Sequence, residues 1–151
     1  MSELCSQFYA RTFREHRHLN TNWLSPTKLA TLAAYAQSKV PLSTVFGFVD
    51  ATVQQICRPT IDQRQCYNGK DRVHAIKFQS VVTTDGLMVQ INGPWSGKMH
   101  DGAILSRSLL LEQLARLPYP DAVLPHEPRL QRYLLYADLG YQYSHLIITP
   151  F

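Results

Sequence analysis

Three aspartates stand where the chain passes from apolar to polar. Asp50 closes the run VFGFVD, Asp101 follows His100 ahead of GAIL, and Asp138 closes YLLYAD. A carboxylate at the end of an apolar strand carries a desolvation cost unless it is paired, hydrogen-bonded or bound to a metal. If the strands ending at Asp50 and Asp138 are neighbours, both carboxylates project from one sheet edge. Two such charges about 4 Å apart repel by roughly 1–4 kcal/mol. Mg²⁺ or Mn²⁺ reverses that sign, because hard cations take oxygen ligands. Carboxylate-held ions of this kind commonly serve phosphodiester cleavage. A purely structural, hydrogen-bonded role for Asp50 and Asp138 stands beside this reading. For Asp101, directly ahead of a predicted helix, N-capping is the simpler expectation.

Other chemistries find less support. His74 and His100 have no His-x-x-x-His or Cys-x-x-Cys partner and are expected to be structural. Gly93, Gly97 and Gly102 form no phosphate-binding or dinucleotide loop, and no G-x-S-x-G elbow occurs. Cys5, Cys57 and Cys66 give neither a disulfide framework nor a zinc pair, so reduced thiols are expected.

The elements that must position the aspartates follow from periodicity. Residues 3 to 19 place Leu4, Cys5, Phe8, Tyr9, Thr12 and Phe13 at helical spacing. A second helix should start after a Ser25 cap, with Pro26 at its first position and Leu29, Leu32, Ala33 and Ala36 on one face. The front region carries Arg11, Arg14, Arg17, Lys28 and Lys39; a solvated helical face and a contact to DNA backbone both fit it. From residue 45 the period becomes that of strands. VFGFVDATVQQI reads as one, HAIKFQSVV as a second with Ile76, Phe78 and Val82 on one face, and Thr84-Asp85-Gly86 as a turn. Leu87, Val89 and Ile91 alternate on the returning strand. Residues 102 to 117 read as one helix built on Ile104, Leu105, Leu109 and Leu114; a proline-rich loop and the short strand YLLYAD follow. The expectation is a mixed α/β fold: an antiparallel three-strand meander plus a further strand, with flanking helices. Residues 1–40 form a helical N-terminal region and 41–151 the domain that carries the aspartates.

The chain has 151 residues, 45% hydrophobic and 17% charged, with a net charge of +4. That balance is globular and compatible with a polyanionic partner. No segment is apolar enough to span a bilayer, and the N-terminus lacks a secretory signal, so a nuclear or cytoplasmic, non-secreted protein is expected.

From Gly47 onward the motifs occur in a specific order. GFVDATVQQICRP, Gln65-Cys66-Tyr67-Asn68-Gly69-Lys70, HAIKFQSVVTTDGL, GPWSGKMHDGAIL, YADLGYQ and ITPF together resemble the Harbinger-type transposase nucleases, whose cutting region is the DDE superfamily endonuclease domain. The resemblance implies a ribonuclease-H-like fold, a divalent metal cation (Mg²⁺ or Mn²⁺), DNA as substrate and a nuclear setting. It gives Asp50, Asp101 and Asp138 catalytic, metal-binding roles, and makes room for a separate DNA-binding partner protein; oligomerisation stays open. Ala51 departs from the usual glycine. The pattern's final glutamate lies on a helix beyond the Thr-Pro-Phe motif, and Glu112 and Glu127 precede Asp138, so neither supplies it. The expected domain is therefore incomplete at its C-terminal side, and at most feebly active alone. A catalytically inactive DNA- or protein-binding module and the fragment of a decayed element are the rival readings.

Overall fold

The computed structural model describes residues 18–39, 44–120 and 132–150. The helix expected over residues 3 to 19 thus falls almost wholly outside the described residues. Helix α1 (Pro26–Gln37) starts as its sequence dictates: the Ser25 hydroxyl accepts the Lys28 N–H at 3.3 Å, Pro26 fills the first turn, and Leu29, Leu32, Ala33 and Ala36 are buried. Strand β1 (Val45–Gln55) follows, then helix α2 (Gln63–Cys66), β2 (Tyr67–Asn68), β3 (Val73–Thr83), β4 (Met88–Ser96), α3 (Asp101–Arg107), α4 (Leu110–Ala115), β5 (Leu134–Ala137) and β6 (Ile147–Ile148).

The described strands form one six-stranded mixed sheet. β1 pairs antiparallel with β3, and β3 pairs antiparallel with β4 and, at its start, with β2. On its other side β1 runs parallel to β5, which runs parallel to β6. This is the expected meander with a further strand, in the ribonuclease-H-like arrangement. The apolar face gathers Phe46, Val49, Val81, Leu135, Ala137 and Ile147 from the sheet with Leu29, Leu32, Leu105, Leu110 and Leu114 from the helices into one core. Apart from Ala137, each such side chain contributes about 1.5–3 kcal/mol on burial.

Three readings need correction. The helix expected over 102 to 117 is two, α3 and α4. The Ser108 hydroxyl donates to the Leu105 carbonyl and accepts the Leu110 N–H, and Leu109 takes a left-handed backbone at φ 59°. A serine that satisfies backbone groups locally competes with a continuing helix. The break turns Leu109 outward, while Leu105, Leu110 and Leu114 all reach the core. In β3 the buried side chains are Ala75, Ile76, Gln79, Val81 and Thr83, so of the expected face only Ile76 is buried, whereas Phe78 and Val82 stay partly exposed. Irregular register between Lys77 and Gln79 and between Val81 and Val82 disturbs simple alternation. Finally, the connection after β1 holds α2 and β2, too short for a periodic signal.

Candidate metal centre

The parallel register explains how two aspartates 88 positions apart meet. Val49 pairs with Ala137, so Asp50 and Asp138 each follow a buried, paired residue on adjacent strands. Neighbouring strands run about 4.8 Å apart. β5 stops at Ala137 while β1 continues to Gln55, and the chain turns away at Asp138, where its carbonyl accepts the Tyr141 N–H at 3.2 Å. A cavity of about 520 Å³ lies at this position, bordered by Asp50, Asp101, Asp138, Lys77 and Gly140.

Each carboxylate is partly committed. Asp50 Oδ1 accepts the Ala51 N–H at 2.7 Å, and Asp138 Oδ1 accepts the Gly140 N–H at 2.9 Å. Asp101 Oδ1 accepts from Lys77 Nζ at 2.9 Å, in an ion pair whose side chains are only 12% and 24% exposed for lysine and aspartate. Asp101 therefore does not cap α3 as its sequence position suggests. His100 holds the capping position without a side-chain bond, and Asp101 begins the helix. The reason is Lys77. Its stem lies on the inward face of β3, in register with Val53 of β1, and its ammonium needs a counter-charge where water is scarce.

Gly140 brings two of the aspartates together. A side-chain carbon built on it would lie 3.0 Å from both Asp101 Oδ2 and Asp138 Oδ1. Those oxygens are thus no farther apart than twice that distance, and only glycine leaves the space between them clear. Beneath them the Tyr141 hydroxyl is held firmly protonated. Burial is the main cause, and the negative charge of Asp101 comes next; Asp50 and Asp138 push the same way, while the Gln79 amide opposes. All three carboxylates thus act on one buried hydroxyl.

These donors suit a hard divalent cation in kind, since all are carboxylate oxygens. In placement, no three acidic, histidine or cysteine groups among the described residues come close enough to share one ion. In each of the three aspartates these bonds engage Oδ1 alone, and Asp101 differs in that its partner is the charged Lys77.

The model of the DDE superfamily endonuclease matches residues 49–151. The chain belongs to the DDE superfamily endonucleases. No curated protein and no solved structure matches it. The matched span of this endonuclease domain starts one residue before Asp50 and includes all three aspartates. Lys77, Lys70, Lys98 and Gly140, which their sequence positions do not mark as site residues, also border the cavity. Lys77 left a trace in the sequence, as a charge on the same strand face as the buried Gln79 and Val81. His74 packs its ring edge-to-face on Tyr67, with centroids 5.6 Å apart, in keeping with a structural role. Cys57 and Cys66 are free thiols, and among the described residues no helix is long and apolar enough to cross a membrane.

Proposed function

We propose that this chain is a transposase-derived, divalent-cation-dependent DNA endonuclease domain of the Harbinger kind, acting in the nucleus. The observation that carries the reading is the register that sets Asp50 and Asp138 side by side at the mouth of a polar cavity, within the matched family span. In this reading Asp50 and Asp138 hold Mg²⁺ or Mn²⁺, and Asp101 stands close by as a further ligand or as an organiser of the site. A bound ion of this class lowers the pKa of a water and offsets charge at the attacked phosphate. The chain's own residues do the rest. The Ala51 and Gly140 N–H groups fix the two carboxylates, and Lys77 holds Asp101.

A second reading, a module that binds DNA or protein without cutting, draws support from the Lys77–Asp101 pair, which already neutralises one aspartate. Plasmid nicking separates the two. The assay incubates supercoiled DNA with the protein and Mn²⁺. Nicking should require the cation, and Asp138→Asn should abolish it. Absence of nicking, or nicking indifferent to Asp138→Asn, would favour the binding module.

A further inference from the structure

A nuclease cavity lined by aspartates repels the polyanion it must accept, so cations elsewhere on its rim have to offset that field. Of the lysines bordering the cavity, Lys77 is spent on Asp101. Lys70 and Lys98 are exposed, and among the described residues neither has an ion-pair partner. We propose that Lys70 and Lys98 form a two-loop grip on the phosphate backbone of DNA beside the aspartates, an inference that rests on the DNA-cutting or DNA-binding reading of that cavity.

Both loops are built rather than loose. Lys70 sits in the turn between β2 and β3, which is organised by the buried Asn68. The Asn68 Oδ1 accepts the N–H groups of Lys70 at 3.0 Å and Asp71 at 3.3 Å, and its amide donates to Asp71 Oδ2 at 2.8 Å. Asp71 is thereby engaged with Asn68 and not with Lys70. Lys98 sits in the loop from β4 to α3, where the Met99 N–H meets the Ser96 carbonyl at 2.9 Å. The Lys98 loop is seated on the segments that flank the Lys70 turn, α2 before it and β3 after it. A side-chain carbon on Gly97 would fall 2.3 Å from the Ala75 carbonyl oxygen and 2.6 Å from that of Cys66, so only glycine permits this approach. The Ser96 hydroxyl also donates to the Gln65 carbonyl. The backbones bearing Lys70 and Lys98 therefore keep a fixed relation to each other. Lysines on anchored backbones hold a phosphate with less ordering on binding than lysines on mobile loops.

Phosphate contacts position a duplex without reading its sequence, and each one shows as released counterions. The test is fluorescence anisotropy of a labelled duplex with the full chain in EDTA, titrated over a series of salt concentrations. Lys70→Gln and Lys98→Gln should each lower the slope of log affinity against log salt by about 0.9, and the double variant by about twice that. Lys28→Gln, at an ion pair with Asp85 outside the cavity lining, should leave the slope unchanged. Slopes unchanged in both cavity variants while the unaltered chain binds DNA would overturn the grip alone. An equal drop in Lys28→Gln would also overturn it, as a general charge effect. No DNA binding by the unaltered chain would remove both the grip and the reading beneath it.

Discussion

The two ends of the paired strands β1 and β5 are made of the same backbone and serve opposite purposes. At the entry end, Val45, Phe46, Val49, Leu134 and Leu135 are buried, and the hairpin turn after β3 is tied to α1 by the Lys28–Asp85 pair at 2.8 Å. At the exit end of the pairing, past Val49 and Ala137, the next positions are Asp50, still inside β1, and Asp138, and both border one cavity. The entry end lowers free energy by burying apolar surface; the exit end raises it by gathering like charges. One parallel register, Val49 opposite Ala137, joins the two. Stability and ion binding should therefore be separable by substitutions a few residues apart.

The largest effect belongs to the buried end. Leu135 is fully buried between β1 and β6, so Leu135→Ala should cost about 2–5 kcal/mol of unfolding free energy. Denaturant unfolding measures it, and the protein still folded should bind Mn²⁺ with little change. A loss of ion affinity matching the loss of stability would show that the two ends are not independent.

The smallest effect belongs to the Lys28–Asp85 tie. Both side chains are about a third exposed, so Lys28→Gln should cost no more than about 1 kcal/mol. Its signature is in the acid limb. The Asp85 carboxyl is held below its usual range, first by the Lys28 hydrogen bond and then by Thr83. A depressed folded pKa contributes stability above the unfolded pKa and loses it as pH falls through the folded value. Lys28→Gln should therefore flatten the decline of stability at low pH, seen as a smaller shift in melting temperature between neutral and strongly acidic buffer.

The sequence was most legible where periodicity runs long or a single residue has few other uses. Ser25-Pro26 and the spacing of Leu29, Leu32 and Ala33 suffice for α1, and the length of VFGFVDATVQQ suffices for β1. Asp50 and Asp138 were visible as charges ending apolar runs. Their juxtaposition was conditional on which strands pair, and the long-range register supplies that condition. The break at Ser108 was hidden because GAILSRSLLLEQLARL keeps helical spacing across it. Strands of two residues, such as β2 and β6, carry no period. The capping expected of Asp101 fails because its ion partner is 24 residues away on another strand: a cap is a local inference, and the inward ammonium of Lys77 is not.

We propose that Asp50 and Asp138 form the core of one divalent-cation site, with Asp101 less tightly tied to it. Mn²⁺ titration of Asp50→Asn, Asp138→Asn and Asp101→Asn, by calorimetry or paramagnetic line broadening, tests it most directly. Each of the first two substitutions removes a charge while keeping the shape, and each should weaken Mn²⁺ binding strongly. Asp101→Asn should weaken it less, because the Asp101 charge is already met by Lys77. Unchanged affinity in both Asp50→Asn and Asp138→Asn would contradict the account, and a larger loss in Asp101→Asn would reverse the order within the site.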